Sequence, residues 1–140
     1  MKGIGTEFRI GDGGTPTEAF TAVAKVLEIG ERTTSRDSTE DTTFDSTGGY
    51  KEFTPSGLKD AGELSLVLKY QPGDTEHEQL ISLIDDDAVR NFQLHWPNPG
   101  STPITETFAG FVTSVGTATP LDGDVTVPVT IKLSGKPQRS

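Results

Sequence analysis

The sequence predicts a mainly β fold: a small β-sandwich or barrel with one flanking α-helix, a long loop and two terminal arms. Apolar and polar residues alternate with the period of half-buried strands in residues 62–70, 91–96 and 124–133. Only residues 74–85 show helical spacing of apolar side chains. The 140 residues include 16 Gly and 9 Pro, a composition rich in turn formers. This length predicts a single domain over residues 1–140 with one core.

The first part of the chain shows little periodicity. Residues 1–19 are rich in Gly, Thr and Pro and predict an irregular N-terminal arm. Residues 20–29 then favour one strand. Residues 38–61 contain many turn formers and few apolar groups, so they predict a long loop; loops of this length in compact domains are commonly functional or disordered.

The middle of the chain predicts a strand followed by the helix. Leu64, Leu66 and Leu68 share one face with Tyr70, which is the pattern of a half-buried strand. In residues 74–85, Thr75 and Glu78 fit a capping box at the start of a helix. An apolar stripe follows at helical spacing, and an acidic run near residue 85 opposes the helix dipole and predicts the end of the helix.

Three further strands are expected. Phe92, Leu94 and Trp96 alternate with polar residues, and residues 107–116 are rich in β formers with Gly110 as a candidate bulge. Residues 124–133 alternate strictly, although Pro128 lacks an N–H and indicates an edge strand or an outward-facing position. Residues 134–140 predict a C-terminal tail.

Composition and charge exclude several functions. The net charge of −9 and the pI near 4.6 disfavour a basic clamp on nucleic acid. Because the chain has no Cys, it has no disulfide, thiolate nucleophile or Cys-ligated metal. Its apolar runs are too short for a membrane span, and its N-terminus lacks the apolar core of a secretory signal.

The titratable residues do not assemble a recognisable active site. His77 and His95 are the only imidazoles, have no ligand spacing, and are expected to be solvated or locally hydrogen-bonded. Asp37, Asp41 and Asp45 lack the arrangement of a calcium loop. The sequence therefore predicts no enzyme activity, no catalytic residue, no metal and no cofactor.

One segment is strongly acidic. It is either the exposed face of the helix with a solvated turn, or an acidic surface to which a passing molecule does not adhere. Its carboxylates are Asp74, Glu76, Glu78, Asp85, Asp86 and Asp87.

The long loop carries apolar groups that it cannot bury locally. These are Phe44, Tyr50, Phe53 and Leu58. Burial of each against a partner would contribute roughly 1.5–3 kcal/mol. The sequence therefore predicts that this protein completes its core by association.

The run from Val23 to Tyr70 resembles the major tail tube proteins of lambda-like siphophages. The resemblance rests on VLEI at Val26–Ile29, TTSRD at Thr33–Asp37, DST at Asp45–Thr47, and the block from Tyr50 through Phe53 to GLKDAGE at Gly57–Glu63. It continues more loosely through the acidic helix, the strand NFQLHWP and the strand FAGFVTSVG.

The resemblance implies a structural virion protein. In that family six copies form a ring, inner sheets line a lumen, and rings stack into the tube through which DNA is ejected. Loop and arms bridge subunits and rings, which assigns Lys59 and Asp60 to the same contact as the four apolar loop residues. The implied partners are other copies of the chain, tail tip or initiator and terminator proteins, and the tape measure protein and DNA passing through an acidic lumen. The implied location is the phage tail, after assembly in the host cytoplasm.

Other functions remain open from sequence alone. Within assembled tubes, the chain could be a type VI secretion-like tube subunit or a tail terminator. Two alternatives belong to other functional classes. One is a binding module, a monomeric β-sandwich that binds a ligand through its loops, and the other is an enzyme, a small hydrolase with paired carboxylates. Electron microscopy of the purified protein distinguishes rings and tubes from monomers.

Overall fold

The computed structural model describes residues 3–14, 17–97, 100 and 102–139. The strands in these ranges are β1 (Glu7–Gly11), β2 (Phe20–Ala22), β3 (Val26–Ile29), β4 (Ser35–Glu40), β5 (Phe53–Asp60), β6 (Glu63–Lys69), β7 (Arg90–Trp96), β8 (Ile104–Val115) and β9 (Thr126–Arg139). Seven of them form one antiparallel sheet in the order β2-β1-β7-β8-β9-β6-β3, and β4 and β5 form a separate hairpin. The helix α1 spans Thr75–Ser82.

The large sheet curves into a barrel whose two edge strands are consecutive in the chain. Residues 23–25 connect β2 at one edge to β3 at the other. Val23 N donates to Phe8 O on the β1 side (2.8 Å), and Lys69 N donates to Lys25 O on the β6 side (2.8 Å). Lys25 adopts a positive φ of 59°, so the single strand predicted for residues 20–29 is wrong: the chain turns there to pass between the sheet edges.

The core lies on the concave face of this sheet. Phe8, Phe92 and Phe108 form an aromatic row across β1, β7 and β8, with ring centroids 5.6 and 6.1 Å apart. The alternation predicted for the central strands is confirmed, because their inward-facing residues are buried: Leu64, Leu66, Leu68, Phe92, Leu94, Val127, Val129, Ile131 and Leu133.

The helix packs on the core and is confirmed within the predicted range. Leu80 and Leu83 are buried, and a 3-10 turn (Leu83–Asp85) ends the helical segment. The predicted capping box at Thr75 is wrong. Asp74 is the N-cap, since its Oδ1 accepts from the N–H of Glu76 (3.1 Å) and of His77 (3.3 Å).

The two histidines are structural. His77 is fully buried, its Nε2 lies 2.5 Å from Ala24 O, and Gln71 N donates to its Nδ1 at 3.4 Å. It therefore joins α1 to the connection between the two sheet edges. Of the two alternatives expected for it, solvated or locally hydrogen-bonded, His77 is the hydrogen-bonded one, and it is buried. His95 is hydrogen-bonded across β7 and β8 to Thr105 Oγ1 at 2.9 Å.

Both predicted terminal arms contain strands. β1 lies within the arm of residues 1–19 and pairs with β7, burying Phe8 and Ile10. β9 continues to Arg139, so the described part of residues 134–140 is strand rather than tail. Residues 1, 2, 15, 16 and 140 of these arms lie outside the described residues.

Two local predictions on β8 and β9 are also corrected. Gly110 pairs regularly with Arg90 and Leu133, and the register shifts lie on either side of it. Glycine is needed there because a Cβ would lie 2.6 Å from Lys132 O. Pro128 lies in β9, which is an internal strand and not an edge strand. Its carbonyl oxygen accepts from Gly116 N (3.0 Å), just after β8 ends. Because the N–H and C=O of one residue point to the same side of an antiparallel strand, the position without an N–H faces the end of β8.

Candidate assembly surfaces

The segment predicted as a long loop, residues 38–61, is largely a hairpin that stands away from the barrel. β4 pairs with β5 from Ser35↔Asp60 to Glu40↔Phe53. The expectation of an irregular loop is wrong because backbone pairing, which leaves no apolar pattern in the sequence, orders the hairpin. Almost every residue in it is exposed, and both of its edges are open. A lone two-stranded hairpin is only marginally stable in water, so this one is suited to association.

The tip of the hairpin has local order of its own. Asp41 N donates to Glu52 O (2.7 Å), and Glu52 N donates to Thr42 Oγ1 (2.9 Å). Gly48 and Gly49 both have positive φ, 69° and 74°, which allows the chain to reverse direction.

The predicted apolar residues of the segment are exposed on this hairpin. The exposed fractions are 111% for Phe44, 84% for Leu58, 79% for Tyr50 and 57% for Phe53. None of the four contributes to the barrel core. Exposure of several large apolar groups on one projecting element is typical of a protein–protein contact.

The base of the hairpin is fixed to the barrel. Asp60 Oδ1 accepts from Gly62 N (2.8 Å) and from Lys132 Nζ (3.0 Å). The Gly62 N–H and then the Lys132 ammonium lower the pKa of the Asp60 carboxyl. Gly62 itself has φ +83°, and a Cβ there would lie 2.3 Å from Thr33 O. Asp60 is therefore an anchor of the hairpin.

A basic groove of about 580 Å³ lies beside the base of the hairpin. Four cationic side chains and one carboxylate line it: Arg32, Lys59, Lys136, Arg139 and Glu106. Glu106 is buried, forms an ion pair with Arg32, and accepts from Arg139 Nη2 at 3.3 Å. Sequence reasoning missed Glu106. Its position two residues before Phe108, on the same face of β8, was the available signal.

A groove of about 780 Å³ lies between the N-terminal segment and β3, and both apolar and polar side chains line it. The N-terminal segment with Ile4 forms one wall and the free edge of β3 with Leu27 forms the other, above Leu64, Leu94 and Trp96. Because β3 is an edge strand of the sheet, its open edge is suited to pairing with another chain.

The predicted acidic residues surround α1, and three of them have partners within the subunit. Asp74 caps the helix, Glu78 Oε1 accepts from Tyr70 O–H (2.8 Å), and Asp86 Oδ2 accepts from Arg90 Nε (2.8 Å). The backbone N–H of His77 lowers the pKa of Asp74, and that of Ala88, together with Arg90, lowers the pKa of Asp86. The hydrogen bond to Glu78 raises the pKa of the Tyr70 phenol.

Asp85 and Asp87 are exposed, and among the described residues their side chains make no hydrogen bond or ion pair. Glu76 lies beside Asp74 in the first turn of the helix and is half-buried.

The described residues contain no group of three or more His, Asp or Glu side chains placed to hold a metal ion. Within the same ranges, no helix is long and apolar enough to cross a membrane.

The family model of the lambda phage tail tube protein matches residues 11–140. The chain belongs to the lambda phage tail tube protein family. It is a structural subunit of a tail tube, as the resemblance of residues 23–70 implied. No curated protein sequence matches this tail tube protein.

Solved structures share the fold of this tail tube protein across 96–100% of its length. The tail of an empty gene transfer agent particle, refined with C6 symmetry, has a TM-score of 0.78 at 18% identity and is covered over 98% of its chain. The sheath/tube terminator of an extracellular contractile injection system has a TM-score of 0.72 at 15% identity and 96% coverage. The SPP1 tail tube has a TM-score of 0.68 at 11% identity and 75% coverage. Tube subunits and a terminator thus share this fold. The fold alone does not separate the two roles, whereas the family match assigns this chain to the tube proteins.

Proposed function

We propose that six copies of this chain form a ring, and that the rings stack into a tail tube that conducts DNA. The observation that carries the proposal is the projecting hairpin with its exposed Phe44, Tyr50, Phe53 and Leu58. The barrel has a complete core without these side chains, so their burial requires a neighbouring subunit. Six-fold symmetry is stated for the gene transfer agent tail, whose fold matches along the whole chain.

The hairpin, residues 40–61 in particular, is the proposed fastener between subunits. Open strand edges that would promote aggregation in a monomer pair within a closed assembly. Amide hydrogen exchange tests this assignment. We expect slow exchange of the hairpin amides in the tube and fast exchange in the free subunit. Equal protection in both states would contradict it.

The tube wall facing DNA is proposed to be net negative. A chain of charge −9 repels phosphates, and it does not gain the counterion release that a basic wall would give. Asp85 and Asp87, which are exposed and lack ion pairs among the described residues, are the first candidates. Replacing both with Lys should slow DNA ejection from intact tails. Normal ejection kinetics would place the lumen elsewhere.

The proposal makes the role mechanical and not catalytic. Chelation with EDTA is expected to leave the melting temperature and the assembly of the protein unchanged. A stoichiometric metal in the purified protein would contradict this expectation. The further proposed partners are tail tip, terminator and tape measure proteins, with assembly in the host cytoplasm and function in the virion.

Negative-stain microscopy and sedimentation across a concentration series test the whole proposal. We expect rings or tubes, with tail tips supplied as nuclei where the pure chain alone assembles slowly. A subunit that stays monomeric at high concentration and also with tail tips would instead support a monomeric binding module.

A further inference from the structure

The basic groove has more positive charge than the subunit itself neutralises. Glu106 contacts Arg32 and Arg139. Among the described residues, Lys59 and Lys136 form no ion pair. Two exposed ammonium groups therefore remain available beside the hairpin base of a chain whose overall charge is −9.

The far end of the same hairpin has the opposite charge. Residues 40–52 contain four acids and one base, and Asp41, Asp45 and Glu52 are exposed. Phe44 and Tyr50 lie among these carboxylates. The tip thus offers negative charge together with aromatic surface, and the groove offers ammonium groups together with the apolar ring of Pro137.

The tip cannot reach the groove of its own chain. Thr34 and Lys59, which line the groove, lie at the base of the hairpin, where Ser35 pairs with Asp60. β4 has six residues, and at about 3.4 Å per residue its far end lies roughly 20 Å from that base. Any tip in the groove therefore belongs to a different copy.

We propose that the acidic hairpin tip of one subunit binds in the basic groove of another. This proposal rests on the proposed tube function and identifies the receiving surface for the hairpin. The contact joins two different patches of the same chain, so it is heterologous and extends into rings or stacked assemblies. Because exposed charges take part in it, salt weakens it.

Charge reversal tests the docking directly. A groove variant carries Lys59→Glu and Lys136→Glu, and a tip variant carries Asp45→Lys and Glu52→Lys. We expect each variant alone to need at least a tenfold higher protein concentration to assemble. Circular dichroism and urea unfolding should show a normally folded subunit. The matched control carries Lys25→Glu and Asp122→Lys, two exposed charges outside both surfaces, and should assemble as the wild type does.

Mixing the groove variant with the tip variant is the decisive experiment. The reversed tip of one protein is complementary to the reversed groove of the other, and the unchanged tip and groove also match. We therefore expect the equimolar mixture to assemble at a concentration near that of the wild type. Failure of the mixture, or normal assembly of either variant alone, would overturn the docking.

A second measurement locates the contact. Because the chain has no Cys, an Asp45→Cys protein and a Lys136→Cys protein can be co-assembled and treated with a short bifunctional maleimide. We expect a cross-linked dimer of the two in tubes and none in dilute subunits. Replacing the tip cysteine with Asp122→Cys is the control, and equal cross-linking of that control would overturn the assignment.

The remaining outcomes separate the docking from the proposed function. If the wild type forms tubes and both charge-reversal variants form them equally well, the docking alone is overturned. A wild-type chain that never assembles, even on tail tips, would overturn both proposals. If instead the wild type retains DNA, the groove variant does not, and assembly is unchanged, the groove binds nucleic acid and the docking is wrong.

Discussion

Truncation of the exposed hairpin side chains should weaken assembly without affecting the folded subunit. Phe44 and Leu58 are exposed by 111% and 84%, so Phe44→Ala and Leu58→Ala remove almost no buried contact from the monomer. A surface change of this kind alters the free energy of unfolding by about 0.5 kcal/mol or less.

The effect on the tube should be much larger. Burial of one such side chain contributes about 1.5–3 kcal/mol. Since each 1.4 kcal/mol is a factor of ten in an equilibrium constant, loss of one anchor should raise the critical concentration for assembly about ten- to 150-fold. The two variants combined should assemble less well than either alone.

Sedimentation of polymer across a concentration series gives the critical concentration, and urea unfolding gives the stability of the subunit. Leu121→Ala is the matched control, because Leu121 is 105% exposed and lies outside the hairpin. If Leu121→Ala weakens assembly as much as the hairpin variants do, non-specific hydrophobic association explains the effect. If the hairpin variants unfold the subunit, the hairpin belongs to the folded core and the reasoning fails.

Three further predictions concern the subunit itself. Glu106→Gln leaves Arg32 without its buried partner and should lower the free energy of unfolding in urea by about 3 kcal/mol, and equal stability would show that the charge pair is dispensable. Gly62→Ala should cost about 2 kcal/mol or more because of its φ of +83° and the contact with Thr33 O, whereas Gly57→Ala, with open space around it, should be nearly neutral in the same urea assay. Asp74→Asn should lower the urea midpoint at neutral pH. The folded-state pKa of Asp74 is below the ordinary 3.8. The carboxylate therefore contributes its full stabilisation above pH 3.8 and loses it as pH falls through the lowered pKa. A difference in urea midpoint between wild type and variant that persists in strong acid would contradict an ionic role.

The strands that the sequence predicted are those that bury one face. In β6, β7 and β9, burial of alternate residues requires alternate apolar side chains, so the period is visible. β4 buries nothing: SRDSTE is exposed throughout and is ordered by backbone pairing with β5. β1 does bury Phe8 and Ile10, but two apolar residues among Gly and Thr are too short a pattern to recognise without β7 beside them.

The candidate surfaces divide in the same way. The apolar residues of the hairpin could be predicted as exposed, because a polar segment offers no local means of burying them. The basic groove could not be predicted, since positions 32, 59, 136 and 139 are brought together only by the order of strands in the sheet. The acidic run around α1 could be located, although caps and hydrogen bonds within the subunit involve several of its members.

The pairing of β1 with β7 has a consequence for synthesis of the chain on the ribosome. Glu7 pairs with His95, and at about 5–20 residues per second roughly 4–18 s separate the appearance of these two residues. During that interval Phe8 and Ile10 lack the strand that covers them in the finished sheet. We expect the nascent chain to need protection in this window, and β1, although it is made early, joins the barrel only once β7 has emerged.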